Sequence, residues 1–122
     1  MTDFVDRVIK VEKHLAKKQG EFTLFALFER EDVPNKWDVV VSAAWIDKNE
    51  RRGREIVAIQ LRKGLSNSQI LSLSRVIVVG KNDPALKVLR AIATQHQKVE
   101  VTDCIFFGLK IRHAYIITSH QH

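Results

Sequence analysis

With 122 residues and a single cysteine, Cys104, the chain has the size of one domain and cannot close an intrachain disulfide, which excludes a disulfide-stapled secreted scaffold. Hydrophobic residues at 45% exclude disorder, and apolar runs such as 76–79 and 104–107 fall far short of the ~20 residues of a membrane helix. The net charge of +6 points to acidic partners, with nucleic acid or another polyanion foremost.

Residues 4–18 carry Phe4, Val5, Val8, Ile9, Leu15 and Ala16 near one face, the spacing of an amphipathic helix with Thr2 or Asp3 as its N-cap and Gly20 as its stop. Residues 22–29 are a dense apolar run, too short for a core helix, and read as a strand buried on both faces. Pro34 and Asn35 supply a turn. Residues 37–46, with Val39, Val40 and Val41 at their centre, read as a second strand, followed by a charged loop over 47–53. Alternation over 55–62 predicts a third strand, ended by Gly64.

Ser66, Asn67 and Ser68 begin a short helix holding Ile70, Leu71 and Leu73, and 75–79 reads as a buried strand closed by Gly80. Asp83-Pro84 places an N-cap before a proline at the first helical position, so a helix runs from there to about Gln95 with Leu86, Leu89, Ile92 and Ala93 on its core face. Residues 99–118 are β-rich, with a turn or bulge at Gly108 and a last strand over 111–118. These elements describe an α/β (α+β) domain spanning 1–122. Its mixed sheet has about five to six strands, with an N-terminal helix and a second helix near 84–95 packed on it. The apolar residues of 105–117 would recruit a second copy if they formed an open edge, which makes a homodimer the expectation. The N-terminus does not read as a secretory signal, so the expected location is the cytoplasm, with no membrane partner.

Basic charge is concentrated in segments. Residues 1–20 carry a net +2, 47–63 a net +3 and 81–98 a net +3, whereas 21–46 carry a net −3. The densest cluster is Arg51, Arg52 and Arg54 around Gly53, joined by Lys48, Arg62 and Lys63; guanidinium groups suit bidentate phosphate contact. These six residues are the expected nucleic-acid or phosphate site, with Trp45 nearby as a stacking surface and both Trp37 and Trp45 suited to the core. Among the five histidines, His14, His96, His113, His120 and His122, the last two form a His-x-His pair, but no Cys or acidic cluster completes a metal site in the sequence, so neither metal nor cofactor is expected. His113 and Tyr115 share one face of the last strand. Cys104, among Ile105, Phe106 and Phe107, reads as a buried, inert thiol.

From Asp38 to Lys63 the chain resembles the PD-(D/E)xK nuclease-like fold. Asp38 stands near the start of the second strand, and Gln60-Leu61-Arg62, followed by Lys63, occupies the acid-x-Lys position, with Gln60 in place of the acid and Arg62 in place of the lysine. The resemblance implies a divalent metal held by Asp38, with Glu55 and Gln60 converging on it, and a metal-dependent phosphodiesterase activity. Three readings follow: a non-enzymatic nucleic-acid or polyanion-binding module, which the basic clusters favour; a nuclease-like domain; and a homodimeric structural or regulatory interaction protein.

Overall fold

The phenylalanine-rich run that begins at Phe22 sits at the centre of the molecule. The computed structural model describes residues 2–90, 94–106 and 108–119. In it, β1 (Leu24–Arg30) is buried from Leu24 through Glu29 and is flanked on both sides by other strands. It pairs antiparallel with β2 (Trp37–Ser42) through the turn containing Asn35, whose φ of +65° is the left-handed conformation asparagine tolerates. Asn35 donates its backbone N–H to the buried Glu29 carboxylate at 2.7 Å, which fixes the turn from below. On its other side β1 pairs antiparallel with β5 (Leu109–Ser119), which forms a hairpin with β4 (Val99–Phe106) around Gly108. An edge strand, β3 (Leu73–Val78), lies parallel to β2, giving the order β3-β2-β1-β5-β4. The expected mixed sheet with packed helices is the observed architecture.

Alternating side chains feed two cores. Phe25, Leu27, Val39, Val41, Tyr115 and Ile117 face the helices α1 (Thr2–Gln19) and α3 (Glu50–Gly64). Leu24, Ala26, Phe28, Val40, Ala114 and Ile116 face α5 (Pro84–Arg90), where Leu86 and Leu89 are buried. On that face Phe28 stacks on Phe106 with ring centroids 4.9 Å apart. Asp83 accepts the Ala85 N–H at 2.9 Å, so the Asp-Pro start of α5 is as expected. Its continuation through Ile92 and Ala93 lies outside the described residues, and by Thr94 the chain forms an isolated bridge to Ser119.

Several expectations are corrected. The third strand over 55–62 and residues 50–53 of the charged loop before it are the body and start of α3, whose N-cap Asn49 accepts the Arg52 N–H at 3.1 Å. Gly53, Val57 and Leu61 recur at i, i+4 and are its buried residues, a helical period that the alternation of Ile56, Ala58 and Gln60 masks over a short window. The second strand stops at Ser42, because α2 (Ala44–Asp47) buries Ile46 beside α3. Thr2 and Asp3 lie inside α1, where Asp3 pairs with Arg7 instead of capping. Ser66 caps a single turn, α4 (Asn67–Ile70), through a capping box with Gln69; Leu73 already belongs to β3. That strand is partly exposed rather than buried, because it is an edge. The apolar β5 is not an edge, since β1 and β4 cover both its sides; β4, carrying Glu100 and Asp103, is the edge there. Ile105 is 68% exposed for the same reason.

Two helix contacts depend on glycine. A Cβ at Gly64 would lie 2.5 Å from Val11 Cγ2, so this residue lets α1 approach α3. A Cβ at Gly53 would lie 2.9 Å from both Ile46 Cγ1 and Cγ2 and 3.1 Å from Ile46 Cα. Overpacking of this kind costs about 1–3 kcal/mol, against a gain of ~1 kcal/mol from replacing a helical glycine by alanine. Gly53→Ala should therefore lower the midpoint of urea unfolding, whereas Gly80→Ala, with nothing within 4 Å of its Cβ, should leave it unchanged or raise it slightly. Equal midpoints for the two variants would contradict this packing.

Candidate nucleic-acid interface

The packing of α1 on α3 joins two basic segments that are distant in sequence. Val8, Val11 and Leu15 turn one side of α1 to the core, which leaves Arg7, Lys10 and His14 along its flank. Gln60 and Lys63 occupy the facing flank of α3. Together with Val11 and Gly64, where the helices touch, these residues line a groove of about 320 Å³. Arg7 Nε lies 3.3 Å from Asp3 Oδ2, which also accepts a hydrogen bond from Gln69 Nε2 at 2.8 Å. That surface ion pair is worth little and leaves the guanidinium ready to exchange partners. Among the described residues, Lys10, His14 and Lys63 have no ion pair or hydrogen-bond partner.

The six expected site residues do not form one cluster. Arg51 and Arg52 are in the first turn of α3 rather than on a loop, and share a shallow depression with Asn49 and Glu55. There Arg51 Nε pairs with Glu55 Oε1 at 3.6 Å. Lys48 is the exposed C-cap of α2, and Arg54 is exposed on α3. Arg62 lines a different cleft, of about 250 Å³, with Ser74 and Arg75 of β3. Only Lys63 reaches the α1 groove. Trp45 is not a free stacking surface: its Nε1 donates to the Gly20 carbonyl at 3.0 Å and its ring packs edge-on against Phe22. The groove's contribution from α1 was missed because only tertiary packing brings residues 7–14 beside 60–64.

Asp38 is on β2, as the nuclease-like resemblance implies, but it is buried between Arg75, at 3.3 Å, and Arg30, at 3.9 Å. Gln60, Arg62 and Lys63 belong to a helix, so the acid-x-Lys position on a third strand does not exist here. Glu55 pairs with Arg51 and Gln60 faces α1, so neither shares a hydrogen bond or ion pair with Asp38. Cys104 is half-buried; burial, followed by the Asp103 carboxylate, pushes its thiol up and away from the reactive thiolate. His113 and Tyr115 do share a face, with ring centroids 4.7 Å apart, and His113 Nε2 lies 2.7 Å from Glu100 Oε1. His120 and His122 lie outside the described residues.

A second polar constellation escaped the sequence reading. Glu12, on the sheet-facing side of α1, is fully buried. One of its oxygens meets His96 Nδ1 at 2.5 Å and the other accepts the Thr118 hydroxyl at 3.0 Å. His96 also donates its backbone N–H to Thr118 Oγ1 at 3.2 Å. Glu12 and His96 are 84 residues apart, so no local spacing signals the pair. Burial raises the Glu12 carboxyl above its ordinary value of 4.5, opposed by the hydrogen bond and charge interaction with His96 and by the bond from Thr118. The native state therefore binds this proton more tightly than the unfolded chain. The stability linked to Glu12 is full below its unfolded value and is lost as pH rises through the raised native value. Glu12→Gln keeps an acceptor for Thr118 and removes the titration. Across a urea-unfolding series from about pH 4 to 8, the variant should gain stability relative to the parent as pH rises. A difference independent of pH, or one that moves in the opposite direction, would contradict the burial argument.

No protein-family model matches the chain, and neither a curated protein nor a solved structure matches it.

Proposed function

We propose that this protein is a non-enzymatic module that binds the phosphate backbone of nucleic acid in the groove between α1 and α3. The observation that carries this reading is the convergence of Arg7, Lys10 and His14 with Lys63 along one groove. A ligand that engages several phosphates gains counterion-release free energy at each contact, so cations gathered along a track count for more than the same charges scattered over the surface. The unpaired state of Lys10 and Lys63 among the described residues supports the reading further, because neither must give up a carboxylate to meet a phosphate. The cationic start of α3 extends the same helix at its other end, with Arg51, Arg52 and Arg54 as outlying contacts.

The test is fluorescence anisotropy with labelled single- and double-stranded DNA and RNA over a salt series. Reversing both groove lysines, Lys10→Glu with Lys63→Glu, should weaken binding at least tenfold at low salt. For duplex DNA, losing two phosphate contacts should flatten the slope of log affinity against log salt by about 1.8. Substituting Arg51, Arg52 and Arg54 together by alanine should cost less than the groove reversal. The opposite ranking would move the site to the start of α3, and binding unaffected by either set would end the proposal.

A further inference from the structure

The Glu12–His96 pair continues outward to a third group. Glu21, in the segment between α1 and β1, places its Oε2 3.5 Å from His96 Nε2. The two ring nitrogens thus have different surroundings. Nδ1 meets the buried Glu12 at 2.5 Å, a hydrogen-bond distance too short for two ligands of one ion. The 3.5 Å separation at Nε2 is long for a hydrogen bond, and is close to the edge of a tetrahedron with metal–ligand bonds of 2.0–2.2 Å, which is about 3.4 Å. Glu12, Glu21 and His96 form the only group of three or more His, Cys, Asp or Glu among the described residues whose ligand atoms all lie within 4.8 Å of one another, and the contact at Nδ1 leaves Nε2 and Glu21 as the pair that could share an ion. Neither carboxylate has a Lys or Arg ion partner among these residues, although Glu21 Oε2 also accepts a long hydrogen bond, 3.4 Å, from the exposed Gln95 Nε2, which an ion would have to displace or share.

We propose that His96 Nε2 and the Glu21 carboxylate bind a zinc ion at the surface, with Glu12 holding the imidazole from behind. Metal-ligating histidines typically donate their other ring N–H to a carboxylate, which fixes the tautomer and the ring orientation. Glu12 is placed for that role, and Thr118 in turn holds Glu12. One nitrogen and one carboxylate oxygen suit zinc, and the remaining positions stay open to water or to an exogenous ligand. Glu21 is 47% exposed and His96 26% exposed at the side chain, so the ion has a path from solvent. The site lies on the side of α1 facing the sheet, separate from the groove that faces α3.

Zinc titration calorimetry of the full chain tests the assignment without any nucleic acid. A His120→Ala, His122→Ala background removes the terminal His-x-His pair as a competing ligand. This background should bind one equivalent of zinc. Glu21→Gln, at an exposed position, should weaken binding at least tenfold, and His96→Gln should abolish it. Glu12→Gln should weaken it 10- to 100-fold, the usual cost of losing a group that orients a ligand. Circular dichroism of Glu21→Gln confirms that a loss is not unfolding. No binding by the background protein, or binding unchanged by Glu21→Gln or by His96→Gln, would overturn the proposal.

Discussion

Burial of β1 on both faces is the constraint from which the other positions follow. Leu24, Phe25, Ala26, Leu27 and Phe28 alternate across the sheet, and none is left to solvent. Burying a large apolar side chain is worth about 1.5–3 kcal/mol, so leaving either face open would cost several such contributions. The chain must therefore supply cover twice. The short α5, with Phe106, covers one side. The other side takes two longer helices, α1 and α3, and two helices on one face must pack against each other as well as against the sheet. Gly64 permits that contact at Val11, and the flanks of the two helices then form the walls of the basic groove.

The same arrangement separates the charges. Two of the five acids of residues 21–46 are taken into the interior. Glu29 is buried and accepts from the Asn35 backbone, and Asp38 is buried between Arg30 and Arg75. Glu12, an acid within a basic segment, is buried as well. Lys10, Lys63, Arg52 and Arg54 remain exposed. The surface is thus more basic than the composition alone conveys, and α1 presents both characters: cations toward α3 and a buried carboxylate toward β5.

Legibility in the sequence followed the range of the interactions. The double burial of β1 was readable because a short, unbroken apolar run leaves no polar face to turn toward water, and α5 because Asp83-Pro84 is a local start signal. Helix α3 was misread because Ile56, Val57 and Ile59 favour strands locally, while the pattern of Gly53, Val57 and Leu61 emerges only over a longer window. Lys63 was identified from its charge alone. Its companions Arg7, Lys10 and His14 are polar residues off the apolar face of α1, but nothing local says which helix they face. The Glu12–His96 contact was out of reach for the same reason, as it spans 84 positions and depends on the left-handed turn at His96, where φ is +56°.

The central claim is that the cations of α1 and α3 act as one phosphate-binding track. Its most direct test is a map of amide chemical-shift changes, in ¹⁵N-labelled protein, during titration with a short oligonucleotide. The account predicts changes that grow together, weaken with added salt and concentrate at Arg7, Lys10, His14, Gln60, Lys63 and Gly64. Changes confined to Arg51 and Arg52, centred on the β3 cleft at Arg62 and Arg75, or absent at saturating oligonucleotide would contradict it.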